Sequence, residues 1–137
     1  MKTQENCIFC KINKGEIPSY TLYEDELVRV ILDIFPEAEG HLLIIPKDHC
    51  ENIFDAPDEI LERINVVAKK MALILQAKLG APSLNVINSS GADAGQEVFH
   101  LHYHLVPRFK DDNLNLKFNS AAKEEIIVEE VFKKLKA

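Results

Sequence analysis

The sequence predicts an α+β domain: a mostly antiparallel five-stranded sheet, one long helix and a second helix at the C-terminus. Two observations carry this. Short β-rich runs lie on both sides of a single long stretch with helical periodicity, an order that segregates strands from helix instead of alternating them. The 137 residues are 47% hydrophobic and 28% charged, which suits one soluble domain able to bury roughly two-thirds of its unfolded surface without a disulfide scaffold.

The elements follow in order. Cys7–Asn13 fits a short helical turn ended by Gly15. Tyr20–Tyr23 can extend, and Leu27–Asp33 is β-branched and apolar, hence a strand. Pro36–Gly40 is a turn, and His41–Pro46 is a partner strand. Asp55-Ala56-Pro57-Asp58 marks a helix start, with Asp55 as the carboxylate cap. Ile60, Ile64, Val67, Met71 and Leu75 then recur at helical steps over about six turns, until Gly80 and Pro82 stop them. Leu84–Asn88 is a short strand, Ser89–Gly95 a loop of small residues, and Phe99–Pro107 an alternating strand. Ser120 is a candidate cap for the last helix, with Glu124 and Glu125 near its start and Lys133, Lys134 and Lys136 near its end, as the helix dipole favours. Residues 1–110 thus read as the domain and 111–137 as a partly helical extension.

Charge and cysteine usage narrow the function. Sixteen basic against 22 acidic residues give a net charge of -6, and no basic block is present, so general binding to nucleic acid or anionic membranes is not expected. No apolar run approaches the ~20 residues of a membrane span, and the first residues lack the pattern of a signal peptide. Three cysteines are an odd number for a disulfide framework. The expectation is a cytoplasmic protein whose cysteines are free or bind metal.

Three of the five histidines alternate with other residues at His100, His102 and His104. On a helix, residues two apart diverge. On a strand they share one face, about 7 Å apart from step to step, with Leu101, Tyr103 and Leu105 on the other. An accidental polar face would not need three histidines. A metal site of strand histidines is open, although neighbouring side chains on one strand rarely converge unaided. A phosphate-handling site fits better, because neutral histidine is a nucleophile and also donates hydrogen bonds.

His100-Leu101-His102-Tyr103-His104-Leu105-Val106 resembles the motif of the histidine triad (HIT) nucleotide hydrolases and transferases. Cys7-Ile8-Phe9-Cys10, Gly15-Glu16-Ile17-Pro18, Asp33-Ile34, Gly40-His41, Ile45-Pro46-Lys47-Asp48-His49, Asn88 and Gly95-Gln96-Glu97-Val98 are similar to the family at its spacing, over about residues 5–109. The overall look is that of the Hint-like bacterial branch, and the fold implied is the HIT fold. The resemblance implies that His102 attacks the α-phosphorus of a nucleotide to form a nucleotidyl-histidine. It implies that His104 hydrogen-bonds the phosphate and assists protonation of the leaving group, and that the His100 carbonyl holds the other nitrogen of His102. Asn88, Gln96 and backbone N–H groups around Gly95 and Glu97 would bind phosphate oxygens, and Asp33 the ribose hydroxyls. Phe9, Ile12, Ile31 and Ile34 would wall the base; on residues alone they are ordinary core. Glu97 departs from the Ser or Thr of several family members, and an ionised carboxylate cannot donate a hydrogen bond.

Cys7 and Cys10 form a C-x-x-C pair. Two buried thiols remain an alternative, whereas a redox pair lacks the preceding strand. The resemblance implies a structural Zn²⁺ held by Cys7, Cys10, His49 and His100, a normal closed set. Cys50 reads as free, and His41 as a structural or supporting histidine. The leading expectation is a hydrolase of purine nucleoside phosphoramidates acting as a homodimer on a small-molecule nucleotide. A dinucleoside polyphosphate hydrolase, a nucleotide-binding regulatory module without turnover and a zinc-stapled interaction domain are the alternatives.

Overall fold

The computed structural model describes residues 1–118, 123 and 125–137. Helix α1 (Ile8–Asn13) precedes strands β1 (Thr21–Glu24), β2 (Val28–Leu32) and β3 (Leu42–Pro46). The long helix α2 (Asp58–Leu79) leads to β4 (Ser83–Ile87), a 3₁₀ turn at Ala92–Ala94, β5 (Tyr103–Arg108) and helix α3 (Val128–Lys136). The strands form one five-stranded sheet in the order β1-β2-β3-β5-β4, and every pairing is antiparallel.

Alternation along the strands gives the sheet two distinct faces. Val28, Val30, Leu42, Ile44 and Leu105 pack with Ile60, Ile64, Val67, Met71 and Leu75 of α2 in the main core. All five periodic helix positions read from sequence are therefore buried, each such side chain contributing about 1.5–3 kcal/mol. The opposite face carries Ile31, Leu43 and Ile45, which pack with Phe9 and Ile12 of α1. Central β3 is covered on both faces. The register Leu43↔His104 puts His104 among the residues of this second face, beside α1.

Local details depart from expectation in three places. Helix α2 begins with Pro57 as its N-cap and has no side-chain cap. Asp55 instead accepts from the N–H groups of Glu51 and Asn52 at 3.0 Å each, closing the preceding turn. The histidine strand pairs only from Tyr103 onward, because the Leu101 N–H is drawn to the Cys50 carbonyl at 2.8 Å. Helix α3 starts at Val128, with Glu129 and Glu130 in its first turn and Lys133, Lys134 and Lys136 in its last. Glu125 precedes it, and the Ser120 and Glu124 expectations lie outside the described residues. Gly80 closes α2 in the left-handed conformation, φ 67°, as the sequence indicated.

The segment after β5 is tied back to the sheet. The Arg108 guanidinium donates to both Asp112 carboxylate oxygens, at 2.8 and 2.9 Å, to Asn85 Oδ1 on β4 and to the Leu114 carbonyl. Among the described residues, no helix is long and apolar enough to cross a membrane.

Candidate active site

The approach to β5 delivers three imidazoles to one side of the sheet. His102 Nδ1 lies 2.8 Å from the His100 carbonyl oxygen. A carbonyl only accepts, so Nδ1 carries the hydrogen and Nε2 keeps a free lone pair. This is the arrangement expected of a nucleophile. The Phe9 ring packs edge-on to His102, with centroids 5.2 Å apart. The His102 and His104 rings are 5.1 Å apart, closer than a flat strand would hold them.

His104 is oriented from across the β3–β5 seam. The Glu37 N–H donates to His41 Nδ1 at 3.0 Å, which leaves the His41 hydrogen on Nε2. That nitrogen is 2.9 Å from His104 Nδ1 and donates to it. Neutral His104 then carries its own hydrogen on Nε2 and is a donor toward the cavity. Burial favours these neutral forms: it pushes His104 down to about 4 and lowers His41, the latter opposed by Asp33. His41 is thus a supporting histidine, because it sets the tautomer of His104. Asp33, His41 and His104 also offer ligand atoms within 4.8 Å of one another. The Glu37 N–H, however, occupies the lone pair of Nδ1 and places hydrogen on His41 Nε2, where a metal would need a lone pair. The group reads as a hydrogen-bond relay.

A cavity of about 400 Å³ opens beside these histidines. It brings together Phe9, Ile12, Ile31, Asp33, Ile34, Gly95, Glu97, His102 and His104, all expected from sequence. Phe9, Ile12 and Ile31 are also buried core: they pack in the second core and line the cavity. Ile8, Ile17 to Ser19, Leu32, Phe35, Leu43 and Val98 complete the lining. None of these was expected there. Phe35 and Ile34 are 81% and 69% exposed and form an apolar rim; Ile34 was expected there through the resemblance, and Phe35 was not.

Asp33 accepts from the Phe35 N–H at 2.9 Å through Oδ1, and its Oδ2 is 3.5 Å from His41 Nε2. Its carboxylate is thereby fixed at the cavity edge with lone pairs remaining. Two expected phosphate donors are placed differently. Gln96 is buried, and its Nε2 donates to the carbonyls of Glu51 and Val98 at 2.7 and 3.0 Å. Its Oε1 accepts from the Gly91 N–H and Asn52 Nδ2. Both amide hydrogens are engaged, so Gln96 staples the 91–98 loop and its side chain has no donor left for a phosphate. Asn88 Nδ2 donates to the His102 carbonyl at 3.1 Å while its Oδ1 accepts from Ser90. One amide hydrogen remains, but Asn88 supports the nucleophile's backbone and does not line the cavity.

Behind His102 lies a second cluster. Cys7, Cys10, His49 and His100 offer four ligand atoms within 4.8 Å of one another. Cys7 Sγ is 3.2 Å and Cys10 Sγ 3.5 Å from His100 Nδ1, Cys10 Sγ is 3.4 Å from His49 Nδ1, and the two Nδ1 atoms are 3.2 Å apart. Tetrahedral zinc would set sulfur–nitrogen edges of about 3.5 Å and a nitrogen–nitrogen edge of about 3.3 Å from its usual bond lengths. The fit is close. His100 Nε2 donates to the Pro46 carbonyl at 2.9 Å, which leaves a lone pair on Nδ1 facing the sulfurs, the tautomer a ligand needs. Burial holds the His100 imidazole neutral, down to about 4. Cys50 is buried, its thiol pushed up to about 11 by burial, and stands outside this cluster, as expected.

Residues 14–111 match the model of the HIT domain. The chain belongs to the HIT family. Adenosine 5'-monophosphoramidase HNT1 of Saccharomyces cerevisiae is 43% identical over 118 residues, covering 86% of this chain and 72% of its own. The crystal structure of SMU.412c from Streptococcus mutans superposes with a TM-score of 0.90 at 36% identity, covering 98% of this chain and 85% of that one. A Zn-bound histidine triad family protein from Mycobacterium smegmatis gives 0.78 at 37%, covering 87% and 86%. This HIT-family chain therefore shares its fold with these proteins over most of its length.

Proposed function

We propose that this HIT protein hydrolyses purine ribonucleoside phosphoramidates at the α-phosphorus through a nucleotidyl intermediate on His102. The observation that carries the reading is the His102 Nδ1–His100 carbonyl bond of 2.8 Å, which presents Nε2 as a nucleophile in a cavity large enough for a nucleoside. The similar yeast protein named as an adenosine 5'-monophosphoramidase supports the substrate class. The base lies between the apolar walls of Phe9, Ile12, Ile31 and Ile34, and Asp33 accepts the ribose hydroxyls.

The chemistry follows from the tautomers. The reactive substrate carries a proton on its phosphoramidate nitrogen. The His102 Nε2 pair forms a bond to phosphorus as the phosphorus–nitrogen bond breaks, and that electron pair leaves on the amine. Water then attacks phosphorus, the His102 bond breaks, and the nucleoside monophosphate departs while the released amine takes the water's proton. His104 Nε2–H steadies the phosphoryl oxygens or the departing nitrogen as a hydrogen-bond donor, held so by His41. Two displacements replace one difficult step, and fixed donors meet developing charge without reorganising.

Cys7, Cys10, His49 and His100 would hold a structural Zn²⁺. Such an ion would tie the N-terminal segment to the sheet and would help to fix the peptide that orients His102. The protein is proposed to be a cytoplasmic homodimer. Support for the dimer comes from β4, an edge strand whose Val86 is exposed, and from exposed Val66, Leu73 and Ile74 on α2. The test compares kcat/KM for adenosine phosphoramidate and a diadenosine polyphosphate. A preference for the phosphoramidate is expected, and a preference for the dinucleotide would overturn the assignment.

A further inference from the structure

The cavity beside His102 has an unusual charge pattern for a phosphate site. Its charged lining residues are Asp33 and Glu97, and neither Lys nor Arg lines it. The two carboxylates differ. Asp33 accepts from the Phe35 N–H, and its Oδ2 lies 3.5 Å from His41 Nε2. Glu97 is exposed, and no hydrogen bond or ion pair among the described residues engages it. Its backbone is nonetheless fixed. On one side Gln96 makes four side-chain hydrogen bonds to Glu51, Asn52, Gly91 and Val98. On the other, Val98 packs against the Phe9 cluster. An exposed carboxylate carried on a fixed backbone at the cavity, without a cation to answer it, is an available acceptor for positive charge.

We infer that Glu97 selects leaving groups that carry a positive charge: phosphoramidates whose amine substituent bears a second, protonated amine a few carbons from the phosphorus–nitrogen bond. The inference rests on the phosphoramidate reading and specifies the part of the substrate that reading leaves open. Within the cavity Asp33 is committed to the nucleoside side, so the one unengaged charge is left for the departing group. A neutral alkyl amine would leave Glu97 solvated. An anionic one, including a polyphosphate, would meet like charge with no basic residue to offset it. Glu97 is exposed, so the selectivity is modest and screened by salt.

The test uses a matched pair of adenosine phosphoramidates, one made with 1,4-diaminobutane and one with pentylamine. Their tails are alike in length and differ by one charge. For the wild-type protein at low ionic strength, kcat/KM should favour the charged tail by roughly 1.5-fold to fivefold, the usual range for an exposed ion pair. The preference should shrink toward unity in several hundred millimolar salt and vanish in Glu97→Gln. A ratio at or below one in wild type, or an unchanged ratio in Glu97→Gln, overturns the inference. Should neither compound be cleaved, the hydrolase reading fails by itself. The Kd values of the same pair, measured by displacement of AMP, then decide the role of Glu97. Equal affinities, or no binding of either, overturn it, and tighter binding of the charged tail that is lost in Glu97→Gln sustains it.

Discussion

His104 owes its chemistry to neighbours far away in sequence. The Glu37 N–H fixes His41, and His41 fixes His104. The same burial has a cost in acid. With the folded His104 held down to about 4 against about 6.5 unfolded, the unfolded chain binds the extra proton between those values. Stability then falls as pH drops from 6.5 to 4, and the contribution is fully present above 6.5. The loss is at most about 3 kcal/mol for this one group, reduced by its partial exposure. Urea unfolding at pH 7.5 and pH 5 should show a smaller pH difference in His104→Asn than in wild type. Asp33 gives a second test at this scale. With its carboxylate held by the Phe35 N–H, Asp33→Asn should weaken ribonucleotide binding by about 1.5–3 kcal/mol for each charge-assisted bond lost. Titration calorimetry should find 2′-deoxy analogues much less affected, and equal losses would remove Asp33 from the ribose. The triad spacing made His100, His102 and His104 legible in the sequence. The contact that sets the His102 tautomer came with the resemblance; the tautomers of His100 and His104 did not, because they depend on partners such as Pro46 and Glu37 that no local pattern marks.

Among the elements, the 36–40 turn meets the end of α2 at a tight junction. Gly40 has φ +89°, and an added Cβ would lie 2.7 Å from Leu79 Cδ1, 2.9 Å from Leu75 Cδ2 and 3.3 Å from Pro107 Cγ. Gly40→Ala combines left-handed strain with overpacking and should destabilise the fold by about 2–4 kcal/mol, read as a lower urea midpoint at unchanged slope. Helix α2 was the clearest element in sequence because its core positions repeat every three or four residues over 22 residues. Its first turn was misread for a local reason: Asp55 had two nearer backbone donors in the turn before it. The 91–98 loop was opaque for the opposite reason. Gln96 reads as a plausible phosphate donor until its carbonyl partner at Glu51, 45 residues away, is known.

The whole molecule joins its two histidine-rich centres through one residue. His100 offers its side chain to the Cys7–Cys10–His49 cluster and its carbonyl to His102. One zinc per chain is expected by metal analysis. Its removal by chelation should lower the Tm by several degrees and expose both thiols to titration, with a smaller effect on turnover per folded molecule. A carefully prepared protein without zinc and with freely titratable Cys7 and Cys10 would contradict this. The five-stranded sheet and its α2 layer were legible from strand lengths and helical period, and the metal cluster only through its resemblance to a known pattern, since its ligands come from three separate segments. The central claim is the nucleophile, and it can be weighed directly. Wild-type protein mixed briefly with adenosine phosphoramidate, quenched in acid and analysed by mass spectrometry should carry one adenylyl group, localised by peptide fragmentation to His102. His102→Ala should carry none, lose turnover and still bind AMP. An adduct on another residue, or near-normal turnover in His102→Ala, would contradict the account.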